Sequence, residues 1–224
     1  MKSVLITGGT VRLGKAIAER LRAEGWRVIT SSHRPDAGAD IVADLAEPMG
    51  AAKLYAATLQ MLGGNPPDAL VNNAALFTGD ETSIRAVNLE APKKLTMMMA
   101  GRETGVGVVV NVLDTAASDS RSSSDSRNSR AASRAAPGYL ASKCELAAFT
   151  LSSAATFAAT LRVNGVAPGP VMAPTDVHEQ AGEMLLDRRP TADDVAAAVS
   201  YLLSAEATTG TIIPVDAGQH LLEG

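Results

Sequence analysis

Short runs rich in Val and Ile alternate along this chain with longer segments of helical period, and Gly, Pro or polar residues stand between them. Continuous apolar runs of strand length read as strands buried on both faces, which a parallel sheet covered by helices on each side provides. Ser3–Thr7 is the first such run, followed by a Gly-bearing turn and a helix over 12–24 with Ile17 and Leu21 on its inner face and Gly25 at its end. Residues 26–31 and 39–43 give the second and third strands. A helix over 51–62 and the Pro66-Pro67 punctuation precede a fourth strand at Ala69–Asn72. The pattern continues as a helix over 84–100, a strongly β-prone strand over 106–112, a long helix over 138–160 and a strand over 162–166. It ends with a helix at Ala192–Ser204 and a strand over 211–215. Seven strands in 224 residues predict one α/β domain, a doubly wound parallel sheet flanked by helices.

Lys plus Arg number 20 against 24 Asp plus Glu, a net charge of −4, so no electrostatic pull toward nucleic acid or an anionic membrane is expected. No apolar run reaches the roughly 18 to 20 residues that cross a bilayer. The single cysteine, Cys144, has no internal disulfide partner, and Met1-Lys2 lead straight into a strand without a signal-like region, so a cytoplasmic location is expected. Cys144 reads as buried structure, Met97, Met98 and Met99 as core or oligomer contacts. His178 and His220 lack metal-ligand spacing, so no metal is expected. The segment near 118–134 holds eight serines, four arginines and two aspartates and nothing apolar larger than alanine. It cannot feed a core and reads as a surface insertion, with a substrate lid or an Arg-rich docking segment as the alternatives.

The chemistry-bearing residues sit where strands end. Thr7-Gly8-Gly9-Thr10-Val11-Arg12-Leu13-Gly14 joins the first strand to a helix N-terminus, where free backbone N–H groups and the helix dipole favour a pyrophosphate; a merely structural glycine turn is the alternative. The second strand ends in Thr30-Ser31-Ser32-His33-Arg34 rather than in a carboxylate. Hydroxyls and a cation there suit a 2′-phosphate and favour NADP(H) over NAD(H), unless His33 and Arg34 are only solvated loop residues. Tyr139 and Lys143 lie four apart on a helix, which places an ammonium near a phenol and is expected to lower the phenol pKa toward neutrality.

In this order the motifs resemble the short-chain dehydrogenase/reductase family over essentially the whole chain: the 7–14 turn, Asp44-Leu45, Asn72-Asn73-Ala74-Ala75, Asn88, Tyr139 with Lys143, and 163–169 (Val-Asn-Gly-Val-Ala-Pro-Gly). The resemblance implies a Rossmann-type sheet. It also implies that Gly8, Thr10, Arg12, Leu13, Ser32, His33, Arg34, Asn73, Ala74 and Ala75 contact the dinucleotide, that Asp44 holds the adenine beside Leu45, and that Asn72 braces the sheet. Asn88 would support a relay water near Lys143, and Pro168, Gly169 and Val171 would flank the nicotinamide. Arg12 in place of a usual glycine, His33-Arg34, Asp114 in place of a usual serine, and Phe77 are similar to the pteridine reductase branch, where an aromatic stacks on the pterin. Phe77 otherwise reads as core. Ser126 lies at the family's usual distance before Tyr139, whereas Asp114 stands 25 positions before it; Asp114 is preferred because it follows a buried strand directly.

The resemblance implies NADPH-dependent reduction of a pteridine, with Tyr139 as proton donor, Lys143 tuning it and holding the nicotinamide ribose, Asp114 orienting a substrate nitrogen or a water, and Arg12 and Phe77 also at the substrate. The family also implies a homotetramer. The alternatives are reduction of a ketone, quinone or acyl carbonyl by the same machinery, and a non-catalytic NADP-sensing protein that docks through its Ser/Arg segment.

Overall fold

The computed structural model describes residues 1–103, 105–118, 138–171 and 183–222. Within them, seven strands form one parallel sheet: β1 (Ser3–Thr7), β2 (Arg27–Ser32), β3 (Ile41–Val42), β4 (Ala69–Asn72), β5 (Gly107–Val112), β6 (Leu161–Pro168) and β7 (Ile212–Val215). Their order is β3-β2-β1-β4-β5-β6-β7, the doubly wound Rossmann arrangement expected, so the chain reverses its direction of travel across the sheet between β1 and β4. The register sets Leu5 beside Ile29 and Leu70, and Val110 beside Val71 and Asn164.

Alternation along each strand makes two cores. Val4, Ile6, Val71, Val110 and Val166 pack against Ile17 and Leu21 of α1 (Arg12–Ala23) and Val199 and Leu202 of α7 (Ala192–Ser204). On the other face Leu5, Ile29, Leu70, Val109 and Val163 pack against Leu54 of α2 (Gly50–Met61) and Leu95 and Met99 of α4 (Ala91–Ala100). Strands with apolar residues at successive positions are the consequence of two covered faces.

The helix expected over 84–100 is broken. α3 (Glu81–Arg85) passes into a π-helical turn, Ala86–Glu90, before α4. Pro92 explains the widening, because it has no N–H to return to Asn88 and its ring crowds that turn. Helix α6 (Tyr139–Thr156) starts on Gly138 at φ 91 and stops before the expected 160. The third strand shrinks to two residues, and a one-turn helix α5 (Thr115–Ser118), invisible to periodicity at that length, follows β5.

One expectation is corrected at the level of a single residue. Cys144 is exposed, not buried: one residue past the inward Lys143 the helix has turned by about 100°. The three methionines divide, with Met99 in the core, Met98 half-buried and Met97 half exposed. Among the described residues no helix is long and apolar enough to cross a membrane.

Candidate active site

A cleft of about 940 Å³ opens along the carboxyl ends of β1, β2, β4, β5 and β6, where a doubly wound sheet binds its ligands. Its floor at β1 is the glycine turn. Gly8 takes φ 64, and a Cβ on Gly14 would stand 2.1 Å from the Gly8 carbonyl oxygen, so the turn closes only around glycine. Asn73 holds it from β4, donating from Nδ2 to the carbonyls of Thr7 (2.9 Å) and Gly8 (3.0 Å), while Thr7 Oγ1 accepts the N–H groups of Asn73 and Ala74. Val11 precedes α1 without a side-chain cap and the first turn carries no acid, so the helix N–H groups face the cleft beside Thr10, Arg12 and Leu13. Arg12 sits at φ 48, a left-handed conformation that favours glycine, with its side chain exposed.

At the end of β2, Ser31 and Ser32 line the cleft together with the exposed His33 and Arg34, and Ser32 Oγ accepts the Arg34 N–H at 3.1 Å. The neighbouring acids are otherwise occupied. Asp40 accepts from Thr30 N and Oγ1 at 2.8 and 2.7 Å, and Asp44, which lines the cleft with Leu45, accepts the Ala46 N–H. A glycine cradle, a free helix N-terminus and an arginine beside an imidazole and hydroxyls fit a dinucleotide carrying a 2′-phosphate.

The reactive end lies between β5 and α6. Tyr139 Oη donates to Asp114 Oδ2 at 3.0 Å, and Asp114 Oδ1 accepts the Ala116 N–H at 3.0 Å, capping α5. Lys143 is buried, donates to the Val112 carbonyl at 2.8 Å and lies 5.9 Å from the Tyr139 ring centre. The expected lowering of the phenol pKa is therefore corrected. Burial, the Asp114 charge and the hydrogen bond to Asp114 together raise the Tyr139 phenol well above its ordinary value, while burial, partly opposed by Asp114, lowers Lys143 to about 8. The ammonium that would have acidified the phenol is turned to a backbone carbonyl.

A family pattern described as enoyl-(acyl carrier protein) reductase matches residues 11–220. The chain belongs to the short-chain dehydrogenase/reductase family. Pteridine reductase 1 of Leishmania tarentolae is 29% identical over 97% of this chain and 96% of that protein, and levodione reductase of Leifsonia aquatica 29% identical over 96% and 93%. Among solved structures, FolM alternative dihydrofolate reductase 1 of Brucella canis, complexed with NADP, superposes with a TM-score of 0.81 at 30% identity, covering 98% of this chain and 94% of that one.

Of the residues picked out by the short-chain reductase motifs, Ala74, Ala75, Pro168, Gly169 and Val171 also line the cleft. Phe77 and Asn88 stand outside its wall. Phe77 is 45% exposed, not core, and meets the Tyr139 ring edge-on with centroids 4.9 Å apart. Asn88 is buried in the π-helical turn. It accepts the Leu76 N–H at 2.8 Å and donates to the Leu76 carbonyl (2.9 Å) and Ser142 Oγ (3.3 Å), so its amide is engaged by the loop after β4 and by α6. Asn72 donates to Asn111, which donates to Thr150, a buried ladder across β4, β5 and α6. Ser126, His178 and most of the Ser/Arg segment lie outside the described residues. Sequence reasoning missed Ser142, whose hydroxyl donates to the Tyr139 carbonyl at 2.6 Å, and the Val112 carbonyl that holds Lys143. The first was open to detection as a hydroxyl three residues into a helix; a backbone acceptor leaves no mark in sequence.

Proposed function

We propose that this reductase uses NADPH to reduce a pteridine of the dihydropterin or dihydrofolate class. One observation carries the reading: the phenol of Tyr139 is hydrogen-bonded to a carboxylate, Asp114, at the inner end of a cleft built for a 2′-phosphorylated dinucleotide, with Phe77 edge-on to the same ring. A carboxylate beside the proton donor suits a substrate that presents ring N–H groups, and a half-exposed aromatic suits a flat heterocycle. The likeness to a pteridine reductase and to an NADP-complexed alternative dihydrofolate reductase supports it.

Gly8, Thr10, Arg12 and Leu13 hold the pyrophosphate, Ser32, His33 and Arg34 the 2′-phosphate, Asp44 and Leu45 the adenine, and Asn73, Ala74 and Ala75 the chain between. Pro168, Gly169 and Val171 wall the nicotinamide, and Lys143 with Tyr139 takes its ribose. Bound NADPH supplies the hydride. Tyr139, kept protonated by its raised pKa, gives its proton to the strongly basic nitrogen or oxygen left on the substrate, and Asp114 orients the group that receives it. Asn88 positions the Tyr139 turn through Ser142. The protein works as a homotetramer in the cytoplasm, with the half-exposed Met97 of α4 and Leu151 of α6 among the surfaces available for assembly.

Steady-state rates with NADPH, a dihydropterin and a cyclic diketone test the reading. Faster turnover of the dihydropterin is expected, with Phe77→Ala and Asp114→Ser raising its KM or lowering its kcat. A diketone preferred by the wild type would establish instead the ketone reading, which the likeness to levodione reductase supports.

A further inference from the structure

Asp216 is an aspartate 2% exposed, one residue past β7, outside the lining of the cleft and unused by the chemistry above. A buried carboxylate persists only when donors surround it. Here Oδ2 accepts Thr115 Oγ1 at 2.7 Å and the His220 N–H at 2.8 Å and lies 2.8 Å from His220 Nδ1, while Oδ1 accepts the Gly218 N–H at 3.0 Å. Burial pushes its pKa up, and the hydroxyl, imidazole and backbone donors overcome that and hold it below the usual value.

The position of its partners gives this knot a consequence. Thr115 follows Asp114 directly, in the turn whose Ala116 N–H the Asp114 carboxylate caps. Gly169, which lines the cleft just past the neighbouring strand β6, presses on Asp216 so closely that a Cβ there would stand 2.6 Å from the Asp216 Cβ, and its N–H donates to the Val215 carbonyl at 3.0 Å. One buried side chain thus touches both segments that follow the adjacent strands β5 and β6, one carrying Asp114 and one carrying Pro168-Gly169. The N–H groups of Leu185 and Leu186 donate to the carbonyl of Ala217, the residue after Asp216, held at φ 57.

We infer that Asp216, acting through Thr115, is a positioning residue that sets where the Asp114 carboxylate meets the Tyr139 hydroxyl. It touches no reacting atom; it fixes the register of the turn that does. The inference rests on the reduction chemistry proposed above for Tyr139 and Asp114, and it extends that site to a residue on the far edge of the sheet. Asparagine at 216 cannot reproduce the whole knot. Its amide has one acceptor end, so whichever way it turns its NH₂ opposes a backbone N–H, that of Gly218 or that of His220.

Four proteins decide the matter: wild type, Thr115→Val, Thr115→Ser and Asp216→Asn, each measured for kcat, KM for NADPH and thermal midpoint, and crystallised with NADP. Thr115→Val and Asp216→Asn are expected to lose roughly 10- to 100-fold in kcat, the scale of an ångström-sized misplacement, with KM for NADPH within about twofold of wild type. Thr115→Ser, which keeps the hydroxyl, is expected to stay within about threefold of wild type. In the crystals the 3.0 Å contact between Tyr139 and Asp114 should open beyond about 3.5 Å in Thr115→Val and persist in Thr115→Ser. Unchanged kcat in Thr115→Val, equal losses in the Val and Ser variants, or an intact contact in the Thr115→Val crystal would overturn the inference. A wild type inert toward every carbonyl and pterin would instead overturn the reduction reading, and the crystallographic distance then decides the positioning claim alone.

Discussion

At the scale of the residue, the site is governed by where Lys143 spends its charge. Burial, partly opposed by Asp114, lowers its pKa to about 8, and its ammonium is bound to the Val112 carbonyl, which leaves the phenol of Tyr139 to Asp114. The sign of the pH dependence follows. Lys143 is cationic below pH about 8 and loses its charge above it, so kcat/KM for NADPH, which reports the free enzyme, should fall as pH rises through about 8. Stability moves the other way. A lysine whose folded pKa lies below its ordinary 10.5 binds fewer protons than the unfolded chain between about 8 and 10.5. Across that window the wild type should therefore gain thermal stability relative to Lys143→Met as pH rises. Arg12 separates two effects of one residue. Arg12→Gly relieves the strain of φ 48 but removes a cation from the glycine-turn end of the cleft, so calorimetry should show an unchanged or higher thermal midpoint. Titration with NADPH should show affinity weakened by roughly 1 kcal/mol, about fivefold.

At the scale of the element, what builds the cleft is the junction of β1 with α1. A methyl group at Gly14 would meet the Gly8 carbonyl at 2.1 Å, a backbone atom that cannot step aside. Gly14→Ala is therefore expected to cost about 3 kcal/mol of stability in denaturant unfolding and to abolish NADPH binding in the folded fraction. This turn was legible because glycine spacing is itself the constraint. The π-helical turn of 86–90 was not, although its cause, Pro92, stands in the sequence: whether a proline kinks, ends or widens a helix depends on what packs on it, here Ser142 and Leu76 holding Asn88. Helix α5 escaped for a different reason. Four residues are too few to show a period, and its cap, Asp114, carries another signal as a site residue.

At the scale of the whole molecule, strand identity and the place of the cleft follow from the alternation of apolar runs with helical segments, because a sheet covered on both faces leaves only its carboxyl edge free for ligands. The electrostatic state of the site did not follow. A Tyr and a Lys four apart mark a pair in sequence, yet the direction of each pKa shift depends on burial and on a carboxylate 25 positions away. Assembly belongs to this scale too. Sedimentation is expected to give a mass four times that of the chain, and a charged substitution at Met97 or Leu151 should lower it. The most direct test of the account is the turnover of Tyr139→Phe with NADPH and the substrate the wild type reduces fastest. The variant is expected to bind NADPH within about threefold of wild type and to lose at least ~100-fold in kcat; undiminished turnover would contradict the assignment of the phenol as proton donor.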